Sequence, residues 1–278
     1  MELSFSKYHG FGNDFICIDF RHQNVDFVAL GKQLCSRHFS IGADGLLALL
    51  SSDVADFRML VVNADGSIPE MCGNGLRCFV AFLHHLGLTH HSNLRIETDA
   101  GILGATIGAM SGANLEVSVD MGVAHFGDQL PSKDFLLESN PDHQLMVLGQ
   151  SFTFIPVSMG NPHCVMFVDN VDEVDVALIG PLIEQLSYFP NRINVEFVQV
   201  VSEHHLKMRV WERGVGETNA CGTGACASVV AGVLTHRCNS RALVDVIGGG
   251  LDISFSLDTH KVQMKGPATF VFSSKITI

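Results

Sequence analysis

Two cysteine-glycine strings, Cys72-Gly-Asn-Gly75 and Cys221-Gly-Thr-Gly224, stand 149 residues apart, and the same offset aligns the segments that lead into them. Phe57-Arg-Met-Leu-Val-Val-Asn63 lies over Leu206-Lys-Met-Arg-Val-Trp-Glu212, with Met59 on Met208 and Val61 on Val210. Each cysteine therefore follows a strand-like run that closes on a polar residue nine positions earlier. Such a pair is the imprint of a duplication, and it restricts the chain to a fold with two related halves.

The residues after each cysteine, 74–86 and 223–235, carry apolar side chains at helical spacing but nearly all round, with Phe79-Val-Ala-Phe-Leu83 consecutive in the first. Helices of that kind are wrapped by sheet. Around them run short β-branched and aromatic segments at 15–19, 57–62, 94–98, 114–120, 152–157, 164–169, 206–211 and 251–257. The expected fold class is α+β: two pseudo-symmetric halves, each a curved, mostly antiparallel sheet around one central helix. Further helices are predicted over Val28–Arg37 and Val176–Leu186. Strand pattern yields near Met121 to a loop-rich stretch with Gly127, Pro131, Asn140 and Pro141, which predicts half-domains 1–121 and 122–266. Residues 267–278 read as a strand returning to the first half. Gly248-Gly-Gly250 has no lysine after it and precedes a strand, so it reads as a hairpin turn, not a phosphate loop.

Composition narrows the function classes. A net charge of −12 repels phosphate backbones and argues against nucleic acid as partner. The first residues lack the basic-then-apolar pattern of a secretory signal, and no apolar run is long enough to span a bilayer, so no membrane role is expected. Eight cysteines without a C-x-x-C spacing argue against zinc ribbons and thioredoxin-type sites. A reducing cytoplasm is the expected location, where thiols can act as acids and bases.

A helix N-terminus presents unpaired amides and partial positive charge. A cysteine there is expected to be more acidic than its ordinary value of about 8.5, and a carboxylate can bind the neighbouring amides. Glycines at 73, 75, 222 and 224 leave room for that approach. One such copy could equally be a glycine-opened helix beside a packing cysteine; two copies in register argue for use. Two thiols in related halves are what a reaction needs when one proton leaves one face of a carbon and another arrives on the opposite face.

Strand parity puts Asn63 and Glu212 at the ends of apolar faces. A carboxylate at such a place is costly without a partner or a substrate ammonium, so Glu212 is a candidate site residue. Arg213 is either its salt-bridge mate or a clamp for a substrate carboxylate. The 149 offset lays Gly45 on Asn194, and an offset of 148 lays Gly12-Asn13 on Gly160-Asn161. Each asparagine alone is a turn former, and His163 alone a loop histidine; His163 becomes a candidate base only beside a cysteine.

Together these residues resemble the diaminopimelate epimerase family. The strings that carry the resemblance are Lys7-Tyr-His-Gly-Phe-Gly-Asn-Asp-Phe15, Asn63-Ala-Asp-Gly66, Cys72-Gly-Asn-Gly-Leu-Arg-Cys78, Ser158-Met-Gly-Asn-Pro-His163, Arg192-Ile-Asn194 and Glu212-Arg-Gly-Val-Gly-Glu-Thr-Asn-Ala-Cys-Gly-Thr-Gly-Ala225. The resemblance implies two similar domains facing each other across a cleft that holds the active site. It implies Cys72 and Cys221 as the acid/base pair that epimerises LL-diaminopimelate to the meso form, with His163 and Glu212 tuning the thiols. Asn13, Asn63, Asn161, Asn194, Glu212 and Arg213, with backbone of Gly73, Asn74, Gly222 and Thr223, are the implied substrate contacts. No cofactor and no metal is implied, and a homodimer is expected. Gly45 stands where many members have glutamine, so it is not counted as a contact.

Two alternatives remain from the sequence. One is a proline or hydroxyproline racemase-type enzyme with the same two-thiol chemistry; phenazine-biosynthesis isomerases share the fold but lack the cysteine pair. The other is a redox-sensing binding protein with a Cys72–Cys221 disulfide.

Overall fold

Residues Gly73–His85 and Gly222–Leu234 are α-helices of thirteen residues each, beginning 149 residues apart and within a residue of the predicted starts. The computed structural model describes residues 1–69, 71–138, 140 and 143–278; Pro141, part of the predicted loop-rich stretch, lies outside them. The chain forms two compact units, Met1–Asp120 with Lys265–Ile278, and Met121–Met264.

The first unit contains β1 (Glu2–Gly10), β2 (Asn13–Asp19), α1 (Phe27–Cys35), β3 (Gly45–Leu50), β4 (Phe57–Asn63), α2 (Gly73–His85), β5 (Asn93–Thr98) and β6 (Gly101–Ser111). β7 (Asn114–Val123) carries the chain out of it. Strands β1 to β7 neighbour one another in chain order. β2–β3 and β4–β5 run parallel, while β1–β2, β3–β4, β5–β6 and β6–β7 run antiparallel. The second unit repeats the plan with β8 (Gln144–Val147), β9 (Gln150–Ser158), β10 (Pro162–Phe167), α3 (Val176–Glu184), β11 (Asn194–Ser202), β12 (His205–Glu212), β13 (Gly216–Glu217), α4 (Gly222–Leu234), β14 (Arg241–Val246) and β15 (Gly249–Phe255). Here too the parallel pairs are the crossovers, β10–β11 and β12–β14. β16 (Lys261–Thr277) brings the chain back and pairs antiparallel with β1, Glu2 against Thr277.

Each central helix is buried on all sides because strands surround it. In α2, every residue from Gly73 to Leu83 is buried, and the helix packs against β1, β2, β3, β4 and β6. Fully burying a side chain such as Phe79 or Leu83 contributes about 1.5–3 kcal/mol. α4 is buried likewise against β9, β10, β11, β12, β14 and β15. α1 and α3 cover the other faces of their sheets, and their starts follow from side-chain caps: Asp26 Oδ1 accepts from Ala29 N, and Asp175 Oδ1 from Leu178 N. Both helices end two residues before the predicted limits, α1 because Ser36 turns to extended backbone.

This double coverage explains strands that the alternation pattern does not mark. Leu46 and Ala48 of β3 belong to the core beneath α1, and Leu47 reaches toward Gly75 of α2, so Gly45-Leu-Leu-Ala-Leu is apolar at every position. In β11, Val195 and Phe197 lie in the core beneath α3, which leaves Asn194 and Glu196 on the face toward α4. No helix among the described residues is long and apolar enough to cross a membrane.

α3 approaches β12 closely because position 180 is glycine. A Cβ there would stand 2.6 Å from both Cβ and Cγ of Trp211, whose Nε1 donates to Glu184 Oε2 at 2.7 Å. In an exposed helix, Gly→Ala would stabilise by about 1 kcal/mol. Here overpacking wins, and Gly180→Ala is expected to cost about 1–3 kcal/mol. Urea unfolding should show a lowered midpoint with an unchanged slope.

Candidate active site

Both helices are opened by a sulfur atom. Cys72 and Cys221 are N-cap residues in extended conformation, with φ of −140° and −114°. Cys72 Sγ accepts from Gly75 N at 3.4 Å, and Cys221 Sγ from Gly224 N at 3.4 Å. A Cβ at Gly75 would stand 3.4 Å from its sulfur, and one at Gly224 3.3 Å from its sulfur and 2.8 Å from Glu196 Oε1, so the second helix start has the less room. The first intrahelical bonds are Leu76 N to Cys72 O and Ala225 N to Cys221 O. The amides of Gly73, Asn74, Gly222 and Thr223 thus lie ahead of them, at the positive end of each helix dipole.

In the first unit a chain of side-chain hydrogen bonds runs past Cys72. Arg77, fully buried and lying 5.6 Å from the Phe11 ring centroid, donates to Asn74 Oδ1 at 2.8 Å. Asn74 Nδ2 donates to Asn13 Oδ1 at 3.2 Å, and Asn13 Nδ2 donates to Asp44 Oδ2 at 2.9 Å. The Cys72 thiol reaches the same Asn13 Oδ1 at 4.0 Å. Asp44 is held in turn by Arg37, which bridges it to Asp14 with both contacts at 2.7 Å, and Lys7 meets Asp14 at 2.7 Å. Burial pushes the Asp14 carboxyl up, but the hydrogen bonds and charges of Arg37 and Lys7 together hold it below its ordinary 3.8. Asn63 closes β4 apart from this chain, donating from Nδ2 to Ser67 Oγ at 2.9 Å.

In the second unit the polar groups are deeper. Glu212, at the end of β12, accepts from Thr218 Oγ1 and from the Cys221 thiol. Burial raises its carboxyl above the ordinary value, against those two hydrogen bonds. The Cys221 thiol is also pushed well above the usual range, first by burial and then by the charges of Glu212 and Glu196; the Thr223 hydroxyl and the Gly224 amide act in the opposite sense without winning. The helix N-terminus does not make this thiol acidic, as its position alone suggested, because burial, reinforced by the charges of Glu212 and Glu196, outweighs it. His163 is completely buried, with Nε2 3.0 Å from Asn161 Oδ1 and Nδ1 2.6 Å from Glu196 Oε1. Asn161 Nδ2 donates to Thr223 Oγ1 at 3.2 Å, and Thr223 Oγ1 lies 3.5 Å from Cys221 Sγ. Asn194 ties two loops together, donating to Pro162 O at 2.9 Å and accepting from Arg213 N at 3.0 Å.

The family model for diaminopimelate epimerase matches residues 5–127 and 155–271. The chain belongs to the diaminopimelate epimerase family. It is 46% identical to a diaminopimelate epimerase of Synechocystis sp. over the whole of both chains. It is 45% identical to one of Moorella thermoacetica, covering 97% of this chain and 98% of that one. Among solved structures, a phenazine biosynthesis protein of Bacillus anthracis superposes with TM-score 0.71 at 18% identity, all of both chains covered. A hydroxyproline epimerase of Agrobacterium vitis superposes with TM-score 0.69 at 13% identity, covering 99% of this chain and 91% of that one. At such identities these two likenesses speak to the fold alone.

In this diaminopimelate epimerase-family chain, the first unit brings Asn13, Cys72 and Asn74 together and leaves Asn63 on its own turn. The second brings Asn161, His163, Glu212, Cys221 and Thr223 together. Arg213 makes no ion pair with Glu212 among the described residues; its guanidinium meets only the Asn191 carbonyl, at 3.3 Å, so the salt-bridge reading of that arginine is set aside. At Gly45 a Cβ would stand 3.1 Å from Val62 O and 3.3 Å from the Phe15 ring, so a side chain at this counterpart of Asn194 would need its neighbours to give way. Sequence reasoning passed over Thr218, Glu196 and the grip of Asp44 on Asn13. The signal for Glu196 was present: the 149 offset lays Leu47 on it, which marks a carboxylate where the duplicate is apolar.

Asp14 also yields a test of the ion network. Its carboxyl titrates lower in the folded than in the unfolded chain, so its contribution is complete above the unfolded value and disappears as pH falls through the folded one. The stability difference between wild type and Asp14→Asn should therefore be constant near neutrality and shrink below about pH 4. Thermal unfolding of both proteins across pH 2–7 measures it, and a difference that grows on acidification would contradict the assignment.

Proposed function

We propose that the protein interconverts LL- and meso-diaminopimelate by two-base proton transfer at an α-carbon, without pyridoxal phosphate or metal. The observation that carries the reading is the sulfur cap repeated in both units, with a glycine amide 3.4 Å from each thiol, in a chain of this family. One of Cys72 and Cys221, as thiolate, removes the α-proton, and the electron pair is delocalised into the α-carboxylate. The other, as thiol, delivers a proton to the opposite face, so the two cysteines end with exchanged protonation states. Helix-opening amides at Gly73, Asn74, Gly222 and Thr223 supply donors for the carboxylate as its charge grows.

Glu212 stands ready to accept the Cys221 proton, since the thiol already donates to it and burial favours its protonated form. His163 tunes the same thiol through Asn161 and Thr223. Asn13, Asn63, Asn161, Asn194, Glu212 and Arg213 are the proposed substrate contacts. The exposed guanidinium of Arg213 suits a carboxylate, and Asn194 holds its backbone in place. The reading includes a homodimer at work in the cytoplasm.

Solvent-deuterium exchange tests the mechanism. Wild type should incorporate deuterium at the substrate α-carbon, while Cys72→Ala and Cys221→Ala should each lose epimerisation by about 100-fold or more. Sustained epimerisation by either alanine variant would refute the two-base scheme. An amino-acid panel guards the substrate: turnover of proline with none of LL-diaminopimelate would move the assignment to a racemase. A fully reduced protein inactive on the whole panel would favour a binding role.

A further inference from the structure

The two units solve the same local problem with opposite hydrogen-bond polarity. In the first, Asn13 gives its NH2 to Asp44 and turns its oxygen toward Asn74 and the Cys72 thiol. In the second, Asn161 turns its oxygen to His163 and its NH2 toward Thr223, the counterpart of Asn74. Thr223 Oγ1, already accepting from Asn161 while the Cys221 proton is directed to Glu212, has its own proton left for the sulfur. Donors therefore run in one direction, from His163 Nε2 to Asn161, from Asn161 to Thr223, and from Thr223 to Cys221 Sγ.

That direction needs a proton on His163 Nε2, and what secures it is the group on the other ring nitrogen. Glu196 Oε1 lies 2.6 Å from Nδ1, a distance that only a hydrogen bond permits. With Nε2 committed as a donor, this second bond must hold a second proton, so the pair carries two in all. Both side chains are fully inaccessible to solvent, and among the described residues Glu196 Oε2 has no hydrogen-bond partner. The ionisable groups around the pair are Cys164, Glu212 and Cys221, and each is either buried thiol or a carboxyl that burial drives toward its neutral form.

The duplication supplies an internal control. Where the second unit has His163 opposite Asn194 in a parallel ladder, the first has Phe15 opposite Gly45. A Cβ on Gly224 would meet Glu196 Oε1 at 2.8 Å, and one on Gly75 would meet Leu47 Cδ2 at 3.3 Å, so Glu196 and Leu47 occupy matching places beneath their helices. Phe15 and Leu47 pack; His163 and Glu196 hold protons. A buried carboxylate is costly, and a stability role at this place is filled in the other unit by leucine.

The geometry points to Glu196 as a positioning residue for the proposed epimerisation: it fixes two protons on its pair with His163, and thereby aims the Asn161–Thr223 donor chain at the Cys221 sulfur. Glu196 touches no substrate; it acts through His163. The inference rests on the epimerase reading for its kinetic consequence but not for its proton placement.

Two measurements test it. Glu196→Gln keeps the shape but lets the amide either donate to or accept from Nδ1, so the proton on Nε2 is no longer enforced. Its kcat should fall at least about tenfold with KM changed by no more than about twofold. A wild-type kcat in Glu196→Gln would overturn the assignment, and so would a loss confined to KM. Nitrogen-15 NMR of the His163 ring in the wild-type protein should show Nε2 protonated and a proton in the Nδ1 to Glu196 bond. An unprotonated Nε2 overturns the donor chain, whether or not the glutamine variant folds. Should wild type prove inactive on diaminopimelate, the functional reading fails while the ring spectrum still decides the proton placement.

Discussion

The contact between a cysteine sulfur and the amide three residues later sets the start of each central helix, and much else depends on it. A sulfur cap at 3.4 Å is a weaker acceptor than the hydroxyl or carboxylate usual at this position, so the helices gain less from it than from their burial. What it secures is place and direction. The thiol is pinned to the rim of the helix, beside amides that lie ahead of the intrahelical bonds. Burial of the helix body then holds that rim still: a helix enclosed by strands from its first residue through Leu83, as α2 is, has little freedom to slide or to fray at that end.

Doubling this arrangement did not double the chemistry around it. Beneath α2 the supporting side chains are Leu47 and Phe15, and the polar chain past Cys72 is governed by charges at its two ends, Arg77 and Asp44. Beneath α4 the supports are Glu196 and His163, and Cys221 stands among two carboxylates in a dry pocket. The polar groups around one thiol lead out to an ion network of Arg37, Asp14 and Lys7, and those around the other lead into the core to the buried His163–Glu196 pair. Low dielectric makes the second environment the more responsive, since every charge in it acts with little screening.

The fold was legible where one physical requirement dominated. The two enclosed helices could be read from their cysteine-glycine openings and all-round apolar faces, and the two covering helices were placed over Val28–Arg37 and Val176–Leu186, two residues too long at their ends. β3 and β11 were not marked, because strands buried on both faces lose the alternation that identifies a half-buried strand. In the site, the cysteines and Glu212 could be named from repeat and parity, whereas the asparagines stayed turn formers and His163 a conditional base until the family resemblance implied roles for them. Glu196 escaped because it sits inside a run of apolar residues that was not recognised as a strand, so its face was never asked about. Of the two roles open to Arg213, the salt bridge fell because Glu212 has other partners, Thr218 and Cys221. The Gly45 position shows the reverse: a missing side chain noticed in sequence is, in three dimensions, a place where the Val62 carbonyl and the Phe15 ring would have to give way to one.

The return of β16 to β1 has a consequence for how the chain is made. Residues 265–277 complete the edge of a unit whose other strands are all among the first 120 residues, so one half of its hydrogen-bonded seam is synthesised last. During synthesis the second unit, continuous in sequence, can close as soon as its own strands emerge, whereas the first must wait with β1 exposed along one side. Assembly therefore proceeds out of chain order, with the unit that begins the chain finished after the unit that follows it.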